Sequence, residues 1–131
     1  MQKIPVLIVT SRTGDVEELK SILCETPWEL TDASHVEDLP ATLKGAAVPI
    51  LLFDRDTAGA SWQVAIRRLI KTRRGACVVL LSNVSDQYLW DEVVQHGGFD
   101  LLARPFRKEQ VLSTLMFAYA HCRTPWPKTV G

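Results

Sequence analysis

Apolar residues in this chain fall into short unbroken runs separated by stretches of helical period. The runs are "VLIV" (6–9), "PILLF" (49–53), "CVVLL" (77–81) and "DLLA" (100–103). None alternates with polar residues, so each suits a strand of a parallel sheet covered on both faces. A weaker strand is expected at "WELTDA" (28–33). Between the runs, Val16, Leu19, Ile22 and Leu23 share one face of a first helix that Asp15 is placed to cap and Pro27 bounds. A short second helix is expected near Val36, Leu39 and Leu43, ended by Gly45. The third starts after Ser61 and buries Trp62, Ala65, Ile66, Leu69 and Ile70. The fourth starts after Ser85–Asp86 and presents Trp90, Val93, Val94 and Gly97, and the fifth follows Pro105 with Leu112, Leu115, Met116 and Tyr119 inward as far as Cys122.

Five βα units in series predict an α/β fold with right-handed crossovers. Helices must cover both faces of the sheet, so the expected architecture is a flavodoxin-like (βα)5 three-layer sandwich with strand order 2-1-3-4-5. Residues 1–123 form the expected domain, and 124–131, "TPWPKTVG", an extended C-terminal tail.

At 131 residues with 47% apolar content, the chain can bury a substantial core. Lys plus Arg equals Asp plus Glu, 15 against 15, so no global field points to nucleic acid or an anionic membrane. No run is long enough to cross a bilayer, and "IPVLIV" follows Met1, Gln2 and Lys3 without a signal-peptide cleavage pattern. The three cysteines, Cys24, Cys77 and Cys122, lack metal-ligand spacing and read as buried thiols of a cytoplasmic protein. His35, His96 and His121 show no paired metal spacing, and Trp62 and Trp90 fall on core-facing stripes.

In an open parallel sheet, ligands bind beyond the carboxyl ends of the strands. Here strand 1 ends in Thr10–Ser11, strand 3 in Asp54, strand 4 in Ser82–Asn83 and strand 5 in Arg104–Pro105. An acid, a hydroxyl and a base therefore converge on one edge, with Arg104 in reach of Asp54.

Over roughly residues 4–122 the chain resembles the response-regulator receiver domain of two-component signalling, through "VLIV", "ILLFD", "VVLLSN" and "GGFDLLARPF". The resemblance matches Asp54 to the phosphoacceptor and Ser82 to the switch hydroxyl. It puts Arg104 at the lysine position and Pro105 at the proline that follows a cis peptide. It also implies an acidic pair after strand 1 that binds magnesium, and there the chain departs: Thr10 and Ser11 occupy those positions. Magnesium needs hard oxygen ligands, and phosphoryl transfer needs that charge. Asp56 is a possible accessory acid, although the family uses a backbone carbonyl there. The loop after Asp54, "RDTAGASW", is one residue shorter than usual and lacks the customary proline and second glycine; Leu101 replaces an aromatic switch residue.

The expectation is thus a degenerate receiver, a pseudo-receiver: a stand-alone, non-enzymatic signalling module that acts by protein–protein contact. No cofactor is expected, and magnesium binding should be weak or absent. The expected partner is a histidine kinase or another signalling protein, or a second copy. The face formed by the fourth helix, fifth strand and fifth helix would use Tyr88, Leu89, Asp91, Arg107 and Lys108. The first alternative is a working phosphorelay regulator phosphorylated on Asp54; the second is a small enzyme on the same scaffold, for which no phosphate-cradling glycine pattern is visible. The cluster "RRLIKTRR" (67–74) reads as a solvated stripe rather than a nucleic-acid site, leaving Arg67, Lys71 and Arg74 outward.

Overall fold

The structure is a computed structural model that describes residues 3–33, 49–57, 61–72 and 76–123. Strands β1 (Ile4–Val9), β2 (Trp28–Ala33), β3 (Ile50–Asp54), β4 (Cys77–Ser82) and β5 (Asp100–Ala103) form one parallel sheet in the order β2-β1-β3-β4-β5. The described helices are α1 (Thr13–Ile22), α2 (Trp62–Thr72), α3 (Gln87–Gln95) and α4 (Lys108–Arg123). The second helix expected from the sequence and the C-terminal tail lie outside the described residues.

The apolar runs split cleanly by the two-residue period of a strand. Leu7, Val9, Leu51, Phe53, Val78, Leu80 and Leu101 pack with Trp62, Ile66 and Leu69 of α2 and Leu89 and Val93 of α3. The alternate residues Val6, Ile8, Ile50, Leu52, Val79, Leu81 and Leu102 pack with Leu19 of α1 and Val111, Leu115 and Ala118 of α4. Every residue of β3 is buried, so its acidic terminus is carried into the interior by the strand itself. Trp28, at the start of β2, is buried and meets Tyr119 edge-on at 5.9 Å between ring centroids.

Side-chain caps start two helices where the sequence placed them. Asp86 accepts from Leu89 N–H at 2.8 Å, and Ser61 Oγ accepts from Val64 N–H at 3.2 Å. The first helix differs. Its N-cap is Arg12, and Asp15 lies inside its first turn with its carboxylate committed elsewhere.

Two helical faces are rotated by one residue from the expected stripes, about 100° of helix. In α3 the buried pair is Leu89 and Val93, whereas Trp90 is 40% exposed and Val94 42%. Trp90 is therefore not a core residue, and Leu89 is core and not part of a partner face. In α4, Val111, Thr114, Leu115 and Ala118 are buried while Met116 is exposed. A stripe drawn through the bulkiest residues misses a face on which smaller residues let the helix lie closer to the sheet. Cys77 is buried as expected, but Cys24 is exposed in the turn after α1.

Candidate functional site

The carboxyl edge of the sheet is built from four chain segments. β3 delivers Asp54, fully buried, and parallel pairing sets it beside Leu81, one residue before Ser82. β5 pairs Ala103 with Ser82, so the next residue, Arg104, projects from the same edge; its N–H donates to Ser82 C=O at 2.8 Å. The Arg104–Pro105 peptide is cis. Thr10 follows the last residue of β1 and α1 begins three residues later, which turns Asp15 back over the strand ends.

Arg104 joins these parts. Its Nε donates to Asp15 Oδ1 at 2.9 Å and its Nη2 to Asp15 Oδ2 at 2.6 Å, a two-bond fork on one carboxylate. The same Nη2 donates to Asp54 Oδ1 at 2.7 Å, and Nη1 to Asn83 Oδ1 at 3.3 Å. The guanidinium carbon lies 5.7 Å from the Phe106 ring centroid, within cation–π range. Thr10 Oγ1 donates to Asp15 Oδ2 at 3.0 Å, and Thr57 Oγ1 to Asp54 Oδ2 at 2.8 Å. The Arg104 side chain is 11% exposed, that of Asp15 5% and that of Asp54 1%. The hydrogen bonds to Asp15, opposed by burial and reinforced by Asp54, raise the guanidinium pKa above its ordinary value. Arg104 is a permanent cation here.

The other sequence-derived residues sit around this triad. Ser82 is buried, and its Oγ accepts from Val84 N–H at 3.0 Å. Thr10 is buried; Ser11 is exposed, and its N–H donates to Thr57 Oγ1 at 3.2 Å. Asp56 is not an accessory acid of this cluster. Its side chain is 62% exposed and meets Arg12 at 3.7 Å on the rim, because the turn after β3 carries it outward. Asp15 corrects the sequence reading most: expected as a helix cap, it is the principal partner of Arg104. Its place three residues after the N-cap of a helix that starts at the strand edge was the available signal. Thr57 was missed, although a hydroxyl three residues after a strand-terminal Asp is well spaced to fold back onto it.

These residues do not fit a divalent metal. The two buried carboxylates already share a fixed monovalent cation, and all four of their oxygens accept hydrogen bonds. A magnesium ion between Asp15 and Asp54 would have to displace the guanidinium.

No family model matches the sequence, and no curated protein matches it. Solved structures do. The signal receiver domain of an HD domain-containing protein from Pseudomonas fluorescens Pf-5 superposes with a TM-score of 0.83 at 17% identity, covering 98% of this chain and 95% of that one. A response regulator from Thermotoga maritima gives 0.81 at 19% identity, covering 90% and 98%. The beryllofluoride-activated NtrC4 receiver domain dimer gives 0.80 at 18% identity, covering 90% and 98%. The fold is that of signal receiver domains. The sheet order and helices on both faces agree with it throughout the described residues. Within that fold, Arg104 is held by two acids at the carboxyl edge of the sheet.

Proposed function

We propose that this chain is a receiver-like signal-transduction module of the pseudo-receiver kind, acting by protein–protein contact without magnesium-dependent phosphorylation of Asp54. The observation that carries the reading is the Arg104 fork. In it, the positive charge that a phosphoryl-transfer site needs as an exchangeable metal is supplied by a tethered side chain. An incoming phosphoryl group would meet an Asp54 whose two oxygens are held by Arg104 and Thr57. Both oxygens are weakened as nucleophiles by those bonds, and the Arg104 charge is committed to Asp15 and Asp54 instead of being free to clamp the approaching oxygens.

The proposed partner face is formed by α3, β5 and α4, where Tyr88 is 74% exposed and Asp91, Arg107 and Lys108 are exposed. The NtrC4 receiver is a dimer in its solved structure, so a second copy is one partner to test beside a histidine kinase.

The deciding experiment is intact-mass measurement after treatment with acetyl phosphate and magnesium, together with magnesium titration by NMR. The expected result is no added phosphate and no saturable shift at Asp54, Ser82 or Arg104. A gain of one phosphate that disappears in Asp54→Asn overturns the reading in favour of a phosphorelay regulator. The triple substitution Thr10→Asp, Ser11→Asp, Arg104→Lys is expected to restore measurable magnesium binding, since the strand ends are otherwise in place.

A further inference from the structure

From Thr57 through Ser85 the sequence contains no Asp or Glu, yet it contains Arg67, Arg68, Lys71, Arg73 and Arg74. In a chain whose charges sum to zero, this concentrates cation in one sequence segment. Val64, Arg67, Arg68 and Lys71 follow one another at the i, i+3, i+4, i+7 spacing, so a single outward stripe of α2 carries them, and all four are exposed. Beside the stripe lies a groove of about 460 Å³ lined by these residues with Ile70, His96 and Gly97. Its volume is in the range that holds a few side chains of a bound ligand.

The groove depends on the turn that ends α3. Gly97 has φ of +98°, and a Cβ placed on it would come within 2.6 Å of Ile70 Cδ1, so the missing side chain lets that turn lie against α2. His96 forms the other wall. It is held by a 2.9 Å contact between its Nδ1 and the Glu92 carbonyl and by edge-on packing on Trp62 at 5.9 Å. The result is an aliphatic floor, Val64 and Ile70, under a basic rim.

We infer that this groove binds an acidic amphipathic peptide segment of a partner protein, seating an aliphatic side chain on Val64 and Ile70 while carboxylates meet Arg67 and Lys71. The floor selects peptide over nucleic acid. No Phe, Tyr or Trp lines the groove as a platform for bases, and a phosphate backbone gains nothing from aliphatic carbon. The rim selects acidic segments by charge and speeds their capture at low salt. The surface lies on the sheet face opposite α1 and α4 and does not involve Asp54, so it stands or falls separately from the phosphorylation question.

The test is an amide NMR titration of the intact chain with three probes: a blocked twelve-residue peptide of glutamates and leucines at helical spacing, an oligoglutamate of equal charge, and a twelve-nucleotide single-stranded RNA. The amphipathic peptide is expected to shift Val64, Ile70, Lys71 and Gly97 saturably, and the oligoglutamate at least tenfold more weakly, because it lacks the aliphatic anchor (about 1.4 kcal/mol per tenfold). The double variant Arg67→Glu, Lys71→Glu should weaken the peptide by about tenfold or more with an otherwise unchanged spectrum. Equal affinity for oligoglutamate, tighter binding of RNA at the same amides, or no saturable shift with the peptide would each overturn the proposal.

Discussion

Arginine does opposite things in two regions of this molecule. At the carboxyl edge of the sheet, Arg104 is buried between two carboxylates and donates four hydrogen bonds. On α2, Arg67 and Arg68 stand exposed beside another cation, on a helix with no acidic residue. The first arrangement fixes four chain segments to one another. The second leaves a charged rim over apolar carbon, which adds little to folding and much to what the surface can attract. The side chain is the same in both places; what differs is how far the surrounding chain encloses it.

The largest effect that would sharpen this contrast is the loss of Arg104. Arg104→Ala leaves Asp15 and Asp54 as adjacent buried anions and is expected to cost about 3–5 kcal/mol, as breaking a buried charge pair does. Arg67→Ala should stay within about 0.5 kcal/mol, the usual limit for an exposed position without special contacts. Urea denaturation followed by circular dichroism measures both; comparable losses would remove the distinction. The raised pKa of Arg104 makes its contribution fully present below the ordinary arginine value and lost only as pH rises through the still higher folded-state value. Stability between neutral pH and mild alkali should therefore show no step from this residue.

Next in size is the division between the two acids. Asp15 receives two bonds from Arg104 and one from Thr10, while Asp54 receives one from Arg104 and one from Thr57. Asp15→Asn sets an amide donor against a donating guanidinium at the fork. It is expected to cost about 2–3 kcal/mol, against about 1–2 for Asp54→Asn. The reverse order would make Asp54 the principal anchor. Thr57→Val removes one neutral donor from a buried carboxylate oxygen and should cost about 1 kcal/mol.

The two regions were unequally legible in the sequence. Strand-end registration follows from four continuous apolar runs, so the placement of Asp54, Ser82 and Arg104 on one edge could be read directly, with only the length of each run to be judged. The role of Asp15 could not, because it depends on the angle at which α1 leaves β1 and on competition between a helix cap and a buried guanidinium. Propensity favours the cap, and the two-bond ion pair wins. Helix faces were misjudged for a related reason. Trp90 and Met116 have the bulk expected of core residues, but the sheet is already filled by Leu80, Leu101, Leu81 and Leu102, so Val93 and Ala118 make the closer contacts. The groove was invisible at that level: the basic cluster is in the sequence, but its apolar floor forms only when Gly97 is laid against Ile70.

The smallest expected effect tests the α2 surface through stability instead of binding. Arg67 and Lys71 are four residues apart on one exposed face, where like charges destabilise a helix by about 0.2–0.5 kcal/mol. Arg67→Glu converts that repulsion into an acid placed N-terminal to a base at the favourable i, i+4 spacing. The variant should be more stable than the natural chain, by about 0.5 kcal/mol once repulsion lost and attraction gained are counted together. It should also bind the acidic amphipathic peptide less well. That pairing separates a surface kept for recognition from one that is merely solvated, since natural sequences retain suboptimal local charge where it serves binding. Thermal and urea midpoints measure the first half and the amide titration the second. A variant both less stable and unchanged in peptide binding would mean that Arg67 holds α2 in place and plays no part in recognition.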